Sequence, residues 1–180
     1  MAEKFYNIIS SHIIQEQHGF MKGRSTLSNL FLYSDFITSC LGEGFQCDSV
    51  CLDFSKAFDR VDSVLLLNKL INFGFCARII SWLESYLIGR CQVVDVKGHH
   101  SDPIYVGSGV PQGSHLGPIL FIFFINDIIN WVDSIKILVY ADDIKLFHKI
   151  ESVRDCNKLQ IAINNITELS KCNNLDLNIS

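Results

Sequence analysis

Much that a chain of 180 residues often carries is missing from this one. Its seven cysteines (Cys40, Cys47, Cys51, Cys76, Cys91, Cys156 and Cys172) form no CxxC pair and are odd in number, so free thiols in a reducing, intracellular setting are expected. The six histidines are scattered, and His99-His100, the one close pair, has no thiol or carboxylate at ligand spacing, which argues against zinc. The longest apolar run, "LGPILFIFFI" (116–125), holds a Gly and a Pro and is too short to span a bilayer. The start "MAEKFYNIIS" lacks the basic, apolar and small-residue regions of a signal peptide. These absences lead to the expectation of a soluble intracellular protein, nuclear or cytoplasmic, with no membrane partner. An excess of positive charge is missing too. With 15 Lys and Arg against 19 Asp and Glu, the net charge is −4. A module that grips nucleic acid by bulk electrostatics is disfavoured, and any such contact needs positive charge from metal ions or from further segments.

There is no internal repeat and no Pro/Ser-rich linker. What remains is 48% hydrophobic and 19% charged, the composition of one globular domain with a sizeable core. The pattern predicts a helix near 3–14, a polar turn over 16–26, and a second helix from Leu27. A short apolar strand from Val50 to Phe54 runs into another polar turn. Two further helices follow, "SVLLLNKLINF" stopped by Gly74 and "ARIISWLESYL" ending near Gly89. "RCQVVDVKG" and "DPIYVGSG" read as a strand pair turning at Gly98. A Gly/Pro loop then leads into an apolar helix, "ILFIFFINDIINWV". Ile135, Ile137 and Val139 lie on one parity, and Ile144, Leu146 and His148 resume a two-residue rhythm, predicting a hairpin around "ADD". A helix over about 151–171 and a short strand "LDLNI" complete the pattern. Helices and strands without βαβ alternation indicate an α+β domain.

Three features carry chemistry. Asp53 ends an apolar strand in "CLDF", "GVPQGS" spans 109–114, and Asp142-Asp143 sit side by side at the hairpin. Taken singly, each has an ordinary explanation: a helix cap, a tight connection and a solvated turn. Together they are costly unless a cation neutralises the acids, because like charges at close range raise one another's pKa. Magnesium favours a few carboxylates plus phosphate oxygens, and a pair of such ions assists in-line phosphoryl displacement.

The order and flanks of these features resemble the reverse transcriptase domain of non-LTR, LINE-like retrotransposons of the jockey and CR1 type. The blocks are "QHGFMKGRSTLSNL" (17–30), "LDFSKAFDRVDSVLLLNKL" (52–70), "SGVPQGSHLGPILFIFFINDI" (108–128), "YADDIKLF" (140–147) and "LSKCNNLDLN" (169–178). The resemblance implies a right-hand polymerase: a ferredoxin-like antiparallel palm with packed helices (about 31–63 and 113–180) and part of the fingers (about 1–30 and 64–112). It implies that Asp53 and Asp142 hold two Mg2+ ions, with Mn2+ a possible substitute. Asp143 takes a smaller share and the Phe54 carbonyl is a further ligand. Phe58 would gate the ribose 2′-hydroxyl, or be simply a core aromatic. Gln112 and Gly113 would line the nucleotide and template side, Gly113 by letting the backbone come close. Lys22 and Arg24 would contact template or phosphate, or be ordinary surface charges. Lys56 and Asp59 belong to the same signature, but a salt bridge or cap explains them equally well. The implied partners are an RNA template, a DNA primer and deoxynucleoside triphosphates.

There are departures from the family pattern. An upstream "RPISLL"-like fingers block, the thumb and any endonuclease segment are absent, Leu169 replaces a usual tryptophan, Met21 stands where Arg is common, and Ser180 falls where the family carries a lysine. The resemblance therefore implies a domain truncated at both ends, with little or no processive activity of its own. The competing reading is an inactive or co-opted relic that at most binds nucleic acid or a protein. A nucleotide cyclase shares a palm-like fold but does not predict "GVPQGS" or "SKAFD".

Overall fold

The computed structural model describes residues 2–178. Its centre is a three-stranded antiparallel sheet of β1 (Gln46–Leu52), β7 (Asp143–Ile150) and β6 (Lys136–Tyr140), in that spatial order. The register sets Leu52 opposite Ile144 and Tyr140 opposite Asp143. Isolated bridges extend both edges. Leu177 pairs antiparallel with Phe54 beyond β1, and Gln17 pairs in parallel with Val139 beyond β6. The expected final strand is thus reduced to the bridge at Leu177, with Ile179 outside the described residues.

The sheet is covered on both faces. Val50, Leu52, Ile144, Leu146, Ile137 and Val139 face the main core, which they share with α6 (Gly117–Phe124) and α7 (Val153–Cys172). Burial of α6 is almost complete all round, with Leu120, Phe121 and Phe124 at 0% exposure, as its unbroken apolar sequence requires. The other face carries Phe147, which meets Tyr33 and Phe36 edge-on at 5.2 and 5.0 Å from α2 (Thr26–Gly42). The two-residue rhythm foresaw one buried face. Leu138 and Phe147 are buried on the second, because α2 lies across it.

Helix starts follow their caps. Ser25 opens α2 with a reciprocal capping box to Ser28. Asp62 opens α4 (Ser63–Phe73) by accepting from Val64 and Leu65 N–H, and Gly74, at φ 103°, closes it. The short α3 (Ala57–Arg60) precedes it, and α5 (Ala77–Leu87) leads into the exposed arm. In that arm β2 (Arg90–Gln92) pairs with β5 (Ile104–Val106), and β3 (Asp95–Val96) with β4 (His99–His100).

Two expected helices are shorter than their patterns, and two neighbouring side chains, Asn126 and Lys69, act at their ends. The first, α1, spans Ala2–Ile9, and α6 stops at Phe124 before a 3-10 turn over Asn126–Trp131. The Asn126 side chain accepts from Ile14 N–H at 2.9 Å and donates to the His12 carbonyl at 2.9 Å. These bonds take up the Ile14 N–H and the His12 carbonyl, which a continuing helix would use. Beside it, Lys69 Nζ donates to the Phe124 carbonyl at 2.7 Å and to Asp127 at 2.9 Å, ending the regular ladder of α6. Among the described residues no helix is long and apolar enough to cross a membrane.

Candidate active site

The antiparallel register determines which acids meet. Since Leu52 faces Ile144, the next residues outward, Asp53 and Asp143, reach the same end of the sheet. Both line an open cleft of about 630 Å³, shared with Thr26 and Asn29 of α2, Tyr140 and Lys145. Asp142 is half-buried at the hairpin tip. Its pKa is raised, first by burial and then by the charges of Asp53 and Asp143. The three acids singled out in the sequence, ninety positions apart, therefore share one electrostatic environment. None of the three has an ion-pair partner among the described residues. Among the described residues the one side-chain hydrogen bond to the Asp53 carboxylate is a long one, 3.4 Å, from the Asn178 amide. Asp53 and Asp143 line the cleft and Asp142 does not, and among the described residues no group of three or more His, Cys, Asp or Glu is gathered closely enough to hold a metal ion.

Phe54 is 2% exposed. The bridge to Leu177 uses the carbonyl of Asp53, which accepts from Asn178 N–H, and the N–H of Ser55, which donates to Asp176 O, each at 2.8 Å. Successive residues of a strand direct their backbone groups to alternate edges. The Phe54 carbonyl is therefore left for the other edge, where β7 and the hairpin run.

The turn itself is strained. Tyr140 and Asp143 form the last pair, so Ala141 and Asp142 make a two-residue loop, and Ala141 adopts φ 57°. That conformation costs an L-residue about 1–2 kcal/mol, and glycine is the usual occupant. Gln17, 2% exposed, lies against it: its Oε1 accepts from Ala141 N–H at 2.9 Å and from Gly19 N–H at 2.7 Å. Sequence reasoning placed Gln17 in a family-like block but gave it no role, because nothing in the local pattern shows that residue 17 touches residue 141.

The remaining motif residues form a second unit. Val110 N–H donates to the Phe58 carbonyl and Gly109 N–H to the Val61 carbonyl, each at 2.8 Å. Ser108 Oγ donates to the Asp59 carbonyl, and Gln112 Nε2 to the Asp59 carboxylate at 2.6 Å. The 108–112 loop is thus fastened to α3, and Arg90, which the sequence did not flag, donates to the Gly109 carbonyl at 2.7 Å from the far side. Asp59 is neither a helix cap nor an ion-pair partner here, but the acceptor for Gln112. Lys56 is exposed at φ 50°, ahead of α3.

Phe58 is half-buried, stacked on Phe121 at 4.2 Å and edge-on to Phe20 at 6.0 Å. Gly113 has φ 77° with open space where a Cβ would project, so conformation rather than close packing explains glycine there. The close approaches are at Gly109, where a Cβ would lie 2.7 Å from the Asp59 backbone, and at Gly19, where it would lie 2.4 Å from Ala141 N. Arg24 is not a free surface charge: its Nη1 donates to the carbonyls of Ile14 and Gln17 at 2.9 and 2.6 Å. Lys22 is exposed, its Nζ 5.5 Å above the Tyr6 ring and 4.0 Å from Glu3.

Comparison with known proteins agrees with this geometry. The family model described as reverse transcriptase (RNA-dependent DNA polymerase) matches residues 1–180. The chain is 33% identical over 167 residues to a probable RNA-directed DNA polymerase from transposon BS of Drosophila melanogaster, covering 88% of this chain and 18% of that protein. It is 30% identical over 152 residues to the RNA-directed DNA polymerase from mobile element jockey of the same fly, covering 81% and 16%. The chain thus spans less than a fifth of these curated relatives. In three dimensions it is similar to apo telomerase from Candida tropicalis, with TM-score 0.70 at 14% identity over 98% of this chain and 38% of that one. That likeness shows the palm-like α+β fold. The chain is a member of the reverse transcriptase family.

Proposed function

We propose that this chain is the palm, with part of the fingers, of an RNA-directed DNA polymerase that joins deoxynucleotides to a primer 3′-hydroxyl. The observation that carries the reading is the strand register, which delivers Asp53 and Asp143 to one cleft and places Asp142 within the field of both. Members of the family generally use divalent metal ions. The donor set here fits them: three oxygen-donor carboxylates without ion-pair partners among the described residues, one of them raised in pKa by burial and by the other two. Such a set favours Mg2+, or Mn2+ in its place.

In this proposal Asp53 and Asp142 hold two ions, Asp143 adds negative field with a smaller share of coordination, and the Phe54 carbonyl is a further ligand. When bound, the ions supply Lewis acidity to the attacking hydroxyl and to the departing pyrophosphate. Phe58, held by Phe121, presents its exposed edge against a ribose 2′-hydroxyl. Gln112 and Gly113, held on α3 through Asp59, border the nucleotide and template. Lys22, exposed and 4.0 Å from Glu3, meets a phosphate, while Arg24 stiffens the loop that carries it. The fingers-like (about 1–30 and 64–112) and palm-like (about 31–63 and 113–180) division has support from the sheet, whose three strands all fall in the palm-like segments. The proposed partners are an RNA template, a DNA primer and deoxynucleoside triphosphates.

Templated primer extension with Mg2+ or Mn2+, set against Asp142→Asn, tests the reading. Addition of one or a few nucleotides by the wild type and none by the variant is expected, because a net charge of −4 gives little grip on a duplex. Equal products from both, or none from either, would remove the catalytic assignment for this chain and leave the relic reading.

A further inference from the structure

Asp142 and Asp143 are aimed by a turn that alanine does not favour, so something outside the turn must hold it. In a two-residue hairpin the first loop residue's N–H points away from the ladder and is normally left to water. Here that residue, Ala141, is 6% exposed. Its N–H is satisfied by Gln17, from 124 residues away in sequence. The carboxamide is used at both ends. Oε1 takes the N–H groups of Ala141 and Gly19, and Nε2 points at the Ala141 carbonyl at 3.3 Å. A side chain that binds both the N–H and the C=O of one residue orients the two peptide units that flank it, as a second strand would.

The backbone around Gln17 reinforces the grip. His18 N–H donates to the Val139 carbonyl at 2.8 Å, and Val139 N–H to the Glu16 carbonyl at 2.9 Å, so residues 16–18 run as a short strand along β6. Asn29 Nδ2 adds a 3.3 Å contact to the same Val139 carbonyl. Gly19 completes the fit, since a Cβ there would stand 2.4 Å from Ala141 N and 3.0 Å from its Cα.

We infer that Gln17 and Gly19 form a clamp that holds Ala141 in its left-handed conformation and so sets the direction of Asp142 and Asp143. Gln17 is a positioning residue: it touches neither substrate nor metal and acts through the turn. The inference deepens the polymerase reading and rests on it for its consequence, although not for the clamp itself.

The test uses Gln17→Met, which keeps the volume and removes the acceptor, alone and combined with Ala141→Gly, which adopts positive φ without strain. Two properties are read on the full 180-residue chain: hydrogen exchange at the Ala141 amide, and Mn2+ affinity by calorimetry with Asp142→Asn as the blank. The expectation is a protected Ala141 amide in the wild type, exchange at least about tenfold faster in Gln17→Met, and Mn2+ affinity about tenfold weaker. The double variant should recover affinity to within about threefold of wild type, because glycine no longer needs to be held. A side chain that merely fills the core would not be rescued from the other side of the contact. Unchanged exchange and affinity in Gln17→Met, or a loss that Ala141→Gly does not restore, would overturn the inference. If Gln17→Met alone does not fold, the double variant must, and its failure would equally overturn it. If the wild type shows no Mn2+ binding sensitive to Asp142→Asn, the polymerase reading fails. Ala141 exchange then decides the clamp by itself, faster exchange in Gln17→Met upholding it and unchanged exchange refuting it.

Discussion

Asp142→Asn should make the metal-free protein more stable while removing its response to metal. In the folded chain the Asp142 carboxylate is half-buried and faces the charges of Asp53 and Asp143. Each like-charge neighbour at a part-solvated position costs about 0.3–1 kcal/mol. The two together cost about 0.6–2 kcal/mol, which asparagine of the same shape relieves. For a domain of this size 1 kcal/mol moves the melting temperature by about 2–4 °C, so the variant should melt about 1–8 °C higher in EDTA. In Mn2+ at about a hundred times Kd, the wild type gains about 2.7 kcal/mol by mass action and overtakes the variant. The sign with pH is also determined. The folded pKa of Asp142 lies above its ordinary value of 3.8, so the folded form binds the proton more tightly than the unfolded one. The penalty is fully present above the folded pKa and fades as pH falls through it. The gap between variant and wild type in EDTA should therefore close on acidification. Scanning calorimetry of both proteins, with and without Mn2+, reads all of this. A variant that melts lower in EDTA, or keeps the full Mn2+ shift, would refute the reasoning.

Other perturbations address separate parts of the structure. Gly109→Ala places a Cβ 2.7 Å from the Asp59 backbone at φ 86°, so it should destabilise by about 1–3 kcal/mol, seen as a lower urea midpoint with unchanged slope. Lys69→Met leaves Asp127 and the Phe124 carbonyl without their ammonium; a loss of about 1–3 kcal/mol is expected by the same measurement. The pKa of His18 is lowered from 6.5, chiefly by burial and then by Arg24. The unfolded state then binds more protons than the folded one as pH drops below 6.5, and stability should fall in that range. Urea midpoints at pH 7.5 and 5.5, compared with His18→Gln, check it, and equal pH dependence in both would count against it. Phe58→Val should let ribonucleotides compete better in primer extension, read as a smaller preference for deoxynucleotides.

The site's three acids were legible because each sits where a local pattern breaks. Asp53 ends an apolar strand, and Asp142-Asp143 interrupt an alternating one. That they reach one end of the sheet followed only from the family resemblance, because no local pattern tells which strand ends pair. The clamp at Gln17 and the Arg90 contact to Gly109 were not legible, because both join distant segments through side chains whose own neighbourhoods look ordinary. Helix ends at 9 and 124 were misplaced for the same reason: Asn126 and Lys69 draw backbone groups out of the ladder from a distance. Gly113 was singled out for a ligand's approach, and the space a Cβ would take there is open, whereas the tight backbone contacts within the protein fall at Gly109 and Gly19. A positive φ and a crowded Cβ both select glycine, and only coordinates tell them apart. Asp59 had been left between a salt bridge and a cap, and it proved to be the acceptor for Gln112, a side-chain partner fifty-three residues on.

The central claim is that carboxylates from β1 and from the β6–β7 hairpin share divalent cations. Anomalous diffraction from crystals grown with Mn2+ measures this without recourse to activity. The account predicts a peak bridged by the side chains of Asp53 and Asp142, and its disappearance in Asp53→Ala. Manganese bound at the hairpin alone with Asp53 turned away, or no peak in the cleft at saturating Mn2+, would contradict it.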